Sequence, residues 1–152
     1  MQIVGYQTNM EALMPLMIEQ LSEGRCVKFS PSGVSMEPML RQGRDSVILS
    51  CVPKQLKKYD LPLYRRDNGQ YIMHRIVKLG DTYTCEGDNQ FVAEYGLRHD
   101  QMIAVVTAFE RNGSVYSTDK LSYKLYRRLW HYTRPLRHFW KRGIGFLRRC
   151  LR

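Results

Sequence analysis

The stretch QYIMHRIVKLGDTYTCEGDNQ, residues 70–90, predicts the fold class of this 152-residue chain. It holds two short runs rich in β-branched and aromatic residues, 70–78 and 82–86, and each run ends at a Gly-Asp turn signal. Such runs are typical of antiparallel strands joined by local turns. Five similar runs lie at 26–30, 46–51, 61–66, 102–110 and 114–118. Seven short strands of this kind predict a mainly β, compact antiparallel barrel or sandwich.

The chain before this β-rich part predicts a short N-terminal helix over about residues 10–23. Leu13, Met17 and Leu21 recur at every fourth position, and a glycine follows the segment. Because Pro15 fits poorly inside a helix, we expect the helix to begin near that residue.

The chain after the β-rich part predicts a basic, amphipathic helical tail. Residues 120–152 contain eleven basic residues and no acidic one, whereas residues 1–119 contain 13 basic and 14 acidic residues. In the tail, apolar side chains recur every three or four residues on one side of a helical wheel. Pro135 should break this helix into two segments. The expected domains are therefore a near-neutral body over 1–119 and a tail over 120–152.

Several classes of protein are disfavoured by what the sequence lacks. It has no basic N-terminal region followed by an apolar run, so we expect no signal peptide. It also has no apolar run of the roughly 18 residues that a membrane span needs. The four cysteines form no CxxC pair, so we expect no metal site, and no motif indicates a cofactor. A cytoplasmic location follows as the default expectation.

The stretch FSPSGVSMEPML, residues 29–40, holds a candidate nucleophile, Ser35. Gly33 and Pro38 flank it, and both residue types fix the backbone so that a hydroxyl can project from a loop. A serine hydroxyl is a poor nucleophile unless a base lies within hydrogen-bond reach and donors stabilise the oxyanion. Taken alone, this stretch favours a polar surface turn over a nucleophile.

Four motifs in this order resemble the signal peptidase family: GVSMEPML (33–40), GRDSVIL (43–49), YIMHRIV (71–77) and EGDNQ (86–90). The resemblance covers about residues 29–108 and is closest to the endoplasmic-reticulum-type and Gram-positive sporulation-type branch. It implies a signal-peptidase-like β-fold and a serine endopeptidase, with Ser35 as the nucleophile and His74 as the base. The family usually reads Gly-Asp where this chain reads Gly43-Arg44-Asp45, and most members carry membrane spans.

The resemblance leaves the supporting residues of this dyad open. Histidine can accept a proton at neutral pH because its ordinary pKa is near 6.5, and a histidine base usually has an orienting acid. Asp88 and Glu94 are both candidates for that acid, although Asp88 also suits a structural turn. By analogy with the family, Ser32 or the Ser35 amide would donate to the oxyanion.

The predicted function is a serine endopeptidase that removes leader segments from peptides or small proteins at the inner membrane surface. Two alternatives come from other classes. The first is a catalytically inactive, peptide-binding module of the same fold. The second is a protein that binds nucleic acid through its basic tail, because basic residues interleaved with Tyr and Trp suit phosphate contacts and stacking.

The tail itself has three uses that its pattern allows. Leu, Trp and Phe opposite a basic face are typical of a helix that lies on an anionic membrane. The apolar stripe could equally pack on the β-body, or the basic face could bind nucleic acid. The residues expected to contact a membrane surface or partner are Arg127, Arg128, Trp130, Arg134, Arg137, Trp140, Lys141, Arg142, Arg148 and Arg149.

Overall fold

The computed structural model describes residues 10–137 and residue 140. The helices are α1 (Met10–Ser22) and α2 (Leu121–Tyr132), and a short 3₁₀ turn spans His99–Gln101. The strands are β1 (Val27–Phe29), β2 (Asp45–Ser50), β3 (Pro62–Arg65), β4 (Tyr71–Met73), β5 (Arg75–Lys78), β6 (Tyr83–Glu86), β7 (Ala93–Leu97), β8 (Met102–Arg111) and β9 (Ser114–Ser117). The prediction of a mainly β, antiparallel fold with a short N-terminal helix and a C-terminal helix is confirmed.

The strands form two antiparallel sheets. The larger has the order β1-β2-β8-β3-β4, and β9 pairs with β8 outside this path. The smaller has the order β5-β6-β7. The long strand β8 organises the larger sheet, because it pairs with β2, β3 and β9 along its length.

The core of the larger sheet lies under α1. Along β2 the buried positions alternate with half-buried ones, as expected for a strand with one face in the core. Val47 and Leu49 are fully buried on that face, in one cluster with Met14 and Met17 of α1. A second cluster between the sheets includes Tyr64 of β3. The apolar side chains of α1 therefore cover the core of the larger sheet. The candidate site described below lies where strands end.

The predicted strand over residues 70–78 is two strands in two different sheets. Tyr71–Met73 pairs with β3 in the larger sheet, whereas Arg75–Lys78 pairs with β6 in the smaller one. His74 is the residue between them and is buried. The chain thus passes from one sheet to the other at the predicted catalytic base.

Strand β7, which the sequence analysis did not predict, completes the smaller sheet. Its sequence, AEYGL, contains a glycine at φ 72° and no β-branched residue, so it carries little strand signal. Glu94 lies on this strand, opposite Cys85 of β6. The missed strand therefore carries one of the two candidate acids.

The two helical regions that contain a proline differ in how they match expectation, because the tail is split into two segments as predicted, whereas α1 is not shortened by its proline. Helix α1 begins at Met10, and Pro15 lies inside it, so the expectation that it begins near Pro15 is wrong. Helix α2 ends at Tyr132, and residues 134–137 are helical again. The interruption thus comes at Thr133, just before Pro135. Within the described part of the chain, no helix combines the length and apolarity needed to cross a membrane.

Candidate active site

Ser35 is half-buried in a turn, and hydrogen bonds on both sides of this residue hold the turn in place. The amide of Glu37 donates to the carbonyl of Val34 at 3.2 Å. Gly33 has φ 88°, a left-handed conformation that favours glycine, and its amide donates to Oε1 of Gln42 at 2.8 Å. The glycine of the sequence motif is therefore required by the backbone that presents the serine.

His74 is held through its Nδ1 atom. Nδ1 lies 3.0 Å from Oε1 of Glu94 and 3.3 Å from the hydroxyl of Tyr64. Tyr64 itself donates to Oε1 of Glu94 at 3.0 Å. The carboxylate favours the tautomer with a proton on Nδ1, and this tautomer leaves the lone pair of Nε2 free to accept a proton.

Glu94 is kept ionised by its other partners. Arg66 donates to both carboxylate oxygens, from Nε at 2.7 Å and from Nη2 at 2.6 Å. Burial acts to raise the pKa of Glu94, but hydrogen bonds from Arg66 and Tyr64 outweigh it, and the pKa is lowered. The carboxylate is therefore charged at neutral pH and can orient the imidazole.

Burial also decides the charge of His74. Desolvation lowers the pKa of His74 below its ordinary value, and the nearby Glu94 carboxylate opposes this shift only in part. The ring is therefore neutral at pH 7. A neutral imidazole with a free Nε2 is the form that a general base requires.

Asp88, the other candidate acid, is committed to a different partner. Arg75 donates to its two oxygens, from Nε at 2.8 Å and from Nη2 at 2.7 Å, and both side chains are buried. No hydrogen bond joins Asp88 to His74 among the described residues. The contacts thus separate two candidates that the sequence left open, because Glu94 contacts the imidazole and Asp88 neutralises a buried guanidinium.

Gly87 brings Ser35 and His74 to a common point. A Cβ atom added to Gly87 would lie 2.8 Å from the carbonyl oxygen of Ser35 and 3.1 Å from Nε2 of His74. Asn89, two residues after Gly87 in the same turn, donates from its amide to the same Ser35 carbonyl at 2.8 Å. The Gly-Asp-Asn turn therefore holds the loop that carries Ser35 next to Nε2 of His74.

Ser35 lines a small cavity. Within the described residues, Ser35 Oγ makes no hydrogen bond to His74. Ser35 and Ser32 line one cavity of about 90 Å³, together with Met73 at the end of β4. Ser32, the predicted oxyanion donor, thus lies at the same cavity as the predicted nucleophile. The Ser35 amide donates to none of the described residues, so it is also available.

Sequence reasoning missed Tyr64, Arg66 and Gly87 as parts of this site. Tyr64 and Arg66 are recognisable only through Glu94, and the strand that carries Glu94 was not predicted. Gly87 was interpreted as a turn residue, and its close approach to two other segments depends on tertiary structure. Asp45, which follows Arg44, is buried and paired with Arg44 and Arg111.

The tail packs against the Gly87-Asp88-Asn89 turn. Trp130 donates from Nε1 to the carbonyl of Asp88 at 2.9 Å, and Arg137 donates to that carbonyl at 3.3 Å. Tyr123 is buried and accepts a hydrogen bond from Arg75 at 3.0 Å. The α2 segment therefore supports the Asp88 turn directly.

These contacts correct the predicted orientation of the tail. Four residues expected to face a membrane or partner contact the body instead, namely Arg127, Trp130, Arg134 and Arg137. Arg128 and Trp140 are exposed as expected. Lys141, Arg142, Arg148 and Arg149 lie outside the described residues. The alternative in which the apolar stripe packs on the β-body is wrong for the described part of the tail, because its leucines are exposed.

Metal binding has no candidate among the described residues, where no three His, Cys, Asp or Glu side chains are grouped to hold an ion. Comparison of the chain with protein-family models, with curated proteins and with solved structures gave no match. The candidate site is therefore defined by the geometry of Ser35, His74 and Glu94 and by the motifs that hold them.

Proposed function

We propose that this chain is a signal-peptidase-like serine endopeptidase in which Ser35 is the nucleophile, His74 the general base and Glu94 the acid that orients His74. The observation that carries the proposal is at Gly87. There the Ser35 carbonyl and the free Nε2 of His74 lie within 3.1 Å of one point, while Glu94 holds the opposite nitrogen of the same ring.

The reaction follows from these positions. Ser35 Oγ attacks the carbonyl carbon of the scissile peptide bond, and its proton passes to His74 Nε2. The oxyanion accepts hydrogen bonds from the Ser35 amide and the Ser32 hydroxyl. His74 then gives its proton to the departing amine, and the acyl-enzyme remains. Water attacks this ester with His74 again as the base, which releases the acid product and restores Ser35.

The cavity beside Ser35 limits the substrate. It is small, about 90 Å³, and its lining combines polar residues with apolar ones such as Leu40, Ile72 and Met73. A small side chain next to the scissile bond suits this space. Together with the motif resemblance, this supports leader segments of peptides or small proteins as substrates.

Covalent labelling by a serine-directed acylating probe tests the proposal. The wild type should gain one probe mass on Ser35, and Ser35→Ala and His74→Ala should gain none while remaining folded. Ser114→Ala, an exposed serine at the start of β9, is the matched control and should label normally. Labelling of Ser35 that persists in His74→Ala, or no labelling of the folded wild type, would refute an activated nucleophile.

A non-catalytic peptide-binding module is the second candidate, and one observation favours it. Ser35 Oγ has no hydrogen bond to His74 within the described residues, although such contacts often shorten only when substrate binds. The two candidates differ in one measurable respect. A binding module would hold leader peptides with equal affinity in wild type, Ser35→Ala and His74→Ala, and would leave the peptide intact in all three.

A further inference from the structure

Helix α2 and the residues after it present an apolar face to solvent. We call this the outer face, and it consists of Leu121, Leu125, Leu129, Tyr132, Leu136 and Trp140. All six side chains are exposed, from 55% for Leu129 to 81% for Leu121. Leu121, Leu125, Leu129 and Tyr132 recur every three or four residues and so lie along one side of α2. Leu136 and Trp140 continue the same spacing after the interruption at Thr133. A contiguous exposed apolar surface of this kind marks an interaction site.

The contacts on the opposite side of α2 fix this orientation. Tyr123 is buried beside Phe109, with ring centroids 5.7 Å apart, and it accepts a hydrogen bond from Arg75. Trp130 donates to the Asp88 carbonyl, and Arg134 forms an ion pair with Glu86. Turning the leucines toward the body would break all of these contacts. The outer face is therefore held away from the body by the structure itself.

We propose that the outer face of α2 lies on an anionic lipid surface. Leucines combined with a tyrosine and a tryptophan suit the boundary between headgroups and acyl chains. Arg128 is exposed beside the leucines, and the sequence from 120 to 152 carries eleven cations without a single acidic residue. This charge complements anionic lipid, whose surface attracts cations that lie close to it.

The same observations disfavour the other occupants. Arg127, Arg134 and Arg137 contact Tyr59, Glu86 and the Asp88 carbonyl, respectively, so these cations lie on the side of the tail that faces the body. Four of the six side chains of the outer face are leucines, which neither bind phosphate nor stack on bases. A second copy of the chain would bring two strongly basic tails together, and like charges repel. A lipid surface satisfies both the apolar face and the charge.

Vesicle flotation with the full-length chain tests this proposal. We expect the wild type to float with vesicles that contain phosphatidylglycerol and at least tenfold less with pure phosphatidylcholine. The double substitution Leu125→Glu and Leu129→Glu should reduce flotation at least tenfold. Val92→Glu, at a valine of the body that is more exposed than either leucine, is the control and should leave flotation unchanged. Unaltered circular dichroism would show that the variants are folded.

A second measurement makes the test independent of those substitutions. Lipids with brominated acyl chains quench indole emission on contact, so wild-type emission should fall on mixing, whereas Trp140→Phe should lose most of this quenching. Absence of flotation with anionic vesicles, or equal flotation of the double variant, overturns the proposal. A dimer or an RNA complex that depends on Leu125 and Leu129 also overturns it. Peptidase activity is not needed, so the two proposals can fail separately.

Discussion

Nδ1 of His74 lies 3.0 Å from Oε1 of Glu94, and these two residues come from different parts of the fold. His74 occupies the junction between β4 and β5, whereas Glu94 lies on β7 at the edge of the smaller sheet. Arg66 and Tyr64 hold the same carboxylate from the larger sheet and its adjoining turn. The orientation of the imidazole thus depends on both sheets, and its free nitrogen faces the serine loop.

Glu94→Gln should impair catalysis more than stability. Gln keeps the shape of the side chain but removes the charge that selects the Nδ1-protonated tautomer. We expect the rate of probe labelling at Ser35 to fall by about 10²–10⁴-fold, in the range known for neutralising the acid of a serine triad. Mass spectrometry of the labelled protein over time measures the rate. A rate within a factor of three of wild type would remove Glu94 from the proposed mechanism.

Asp88→Asn should give the opposite pattern, with a large loss of stability. It leaves the buried guanidinium of Arg75 without its charged partner, and removing one member of a buried pair costs about 3–5 kcal/mol. Chemical denaturation measures the free energy of unfolding. Because Asp88 does not contact His74, the fraction that remains folded should still label at Ser35. Normal stability with lost labelling would instead assign Asp88 to the mechanism.

Labelling should increase with pH through the titration of His74. Its folded-state pKa is lowered, first by burial, so the neutral base forms below the ordinary value of 6.5. The rate should therefore rise from acidic pH and level off by neutral pH. The Glu94 carboxylate acts to raise this pKa, so Glu94→Gln should move the rising limb to still lower pH. A labelling rate that rises only above pH 7 would contradict a pKa of His74 lowered by burial.

The same shift makes stability depend on pH in a defined direction. The unfolded chain takes up the histidine proton at a higher pH than the folded chain does. Stability is therefore full above the unfolded value and is lost as pH falls toward the folded pKa. The pKa of Glu94 is also lowered, and its contribution is likewise lost under acidic conditions. His74→Ala should remove the part of this stability loss that comes from the histidine. Denaturation experiments at several pH values measure it.

Gly87→Ala should block the site because its methyl group has no space. The new Cβ would meet the Ser35 carbonyl at 2.8 Å and His74 Nε2 at 3.1 Å. We expect labelling to be abolished at a stability cost of about 1–3 kcal/mol, as for overpacking in general. Gly80→Ala is the matched control, because its nearest neighbour would be 3.6 Å away. Equal labelling by both variants would show that Gly87 does not bring the two residues together.

Sequence reasoning succeeded where a residue pattern reflects a local environment. It failed where packing between distant segments determines how a strand pairs or which helix face is buried. The β-branched run 46–51 predicted a strand, and β2 forms there with one face buried. The run 70–78 was interpreted as one strand because nothing in its periodicity marks the change of sheet at His74. In the tail, the apolar stripe was expected to lie on a membrane or, as an alternative, on the β-body, but Tyr123 and Trp130, two aromatic residues on the basic side, are the ones that contact the body.

Trp130→Phe should show that the tail supports the site. Phe keeps much of the ring but cannot donate to the Asp88 carbonyl, and a lost hydrogen bond of this kind costs about 0.5–1.5 kcal/mol. The adjoining Gly87 and Asn89 contact the serine loop, so labelling of Ser35 should slow several-fold in the folded protein, and its pH profile should keep its position because His74 is not touched. Trp140→Phe, which changes an exposed ring, should label at the wild-type rate. Equal rates in the two variants would mean that α2 packs on the Asp88 turn without positioning the nucleophile.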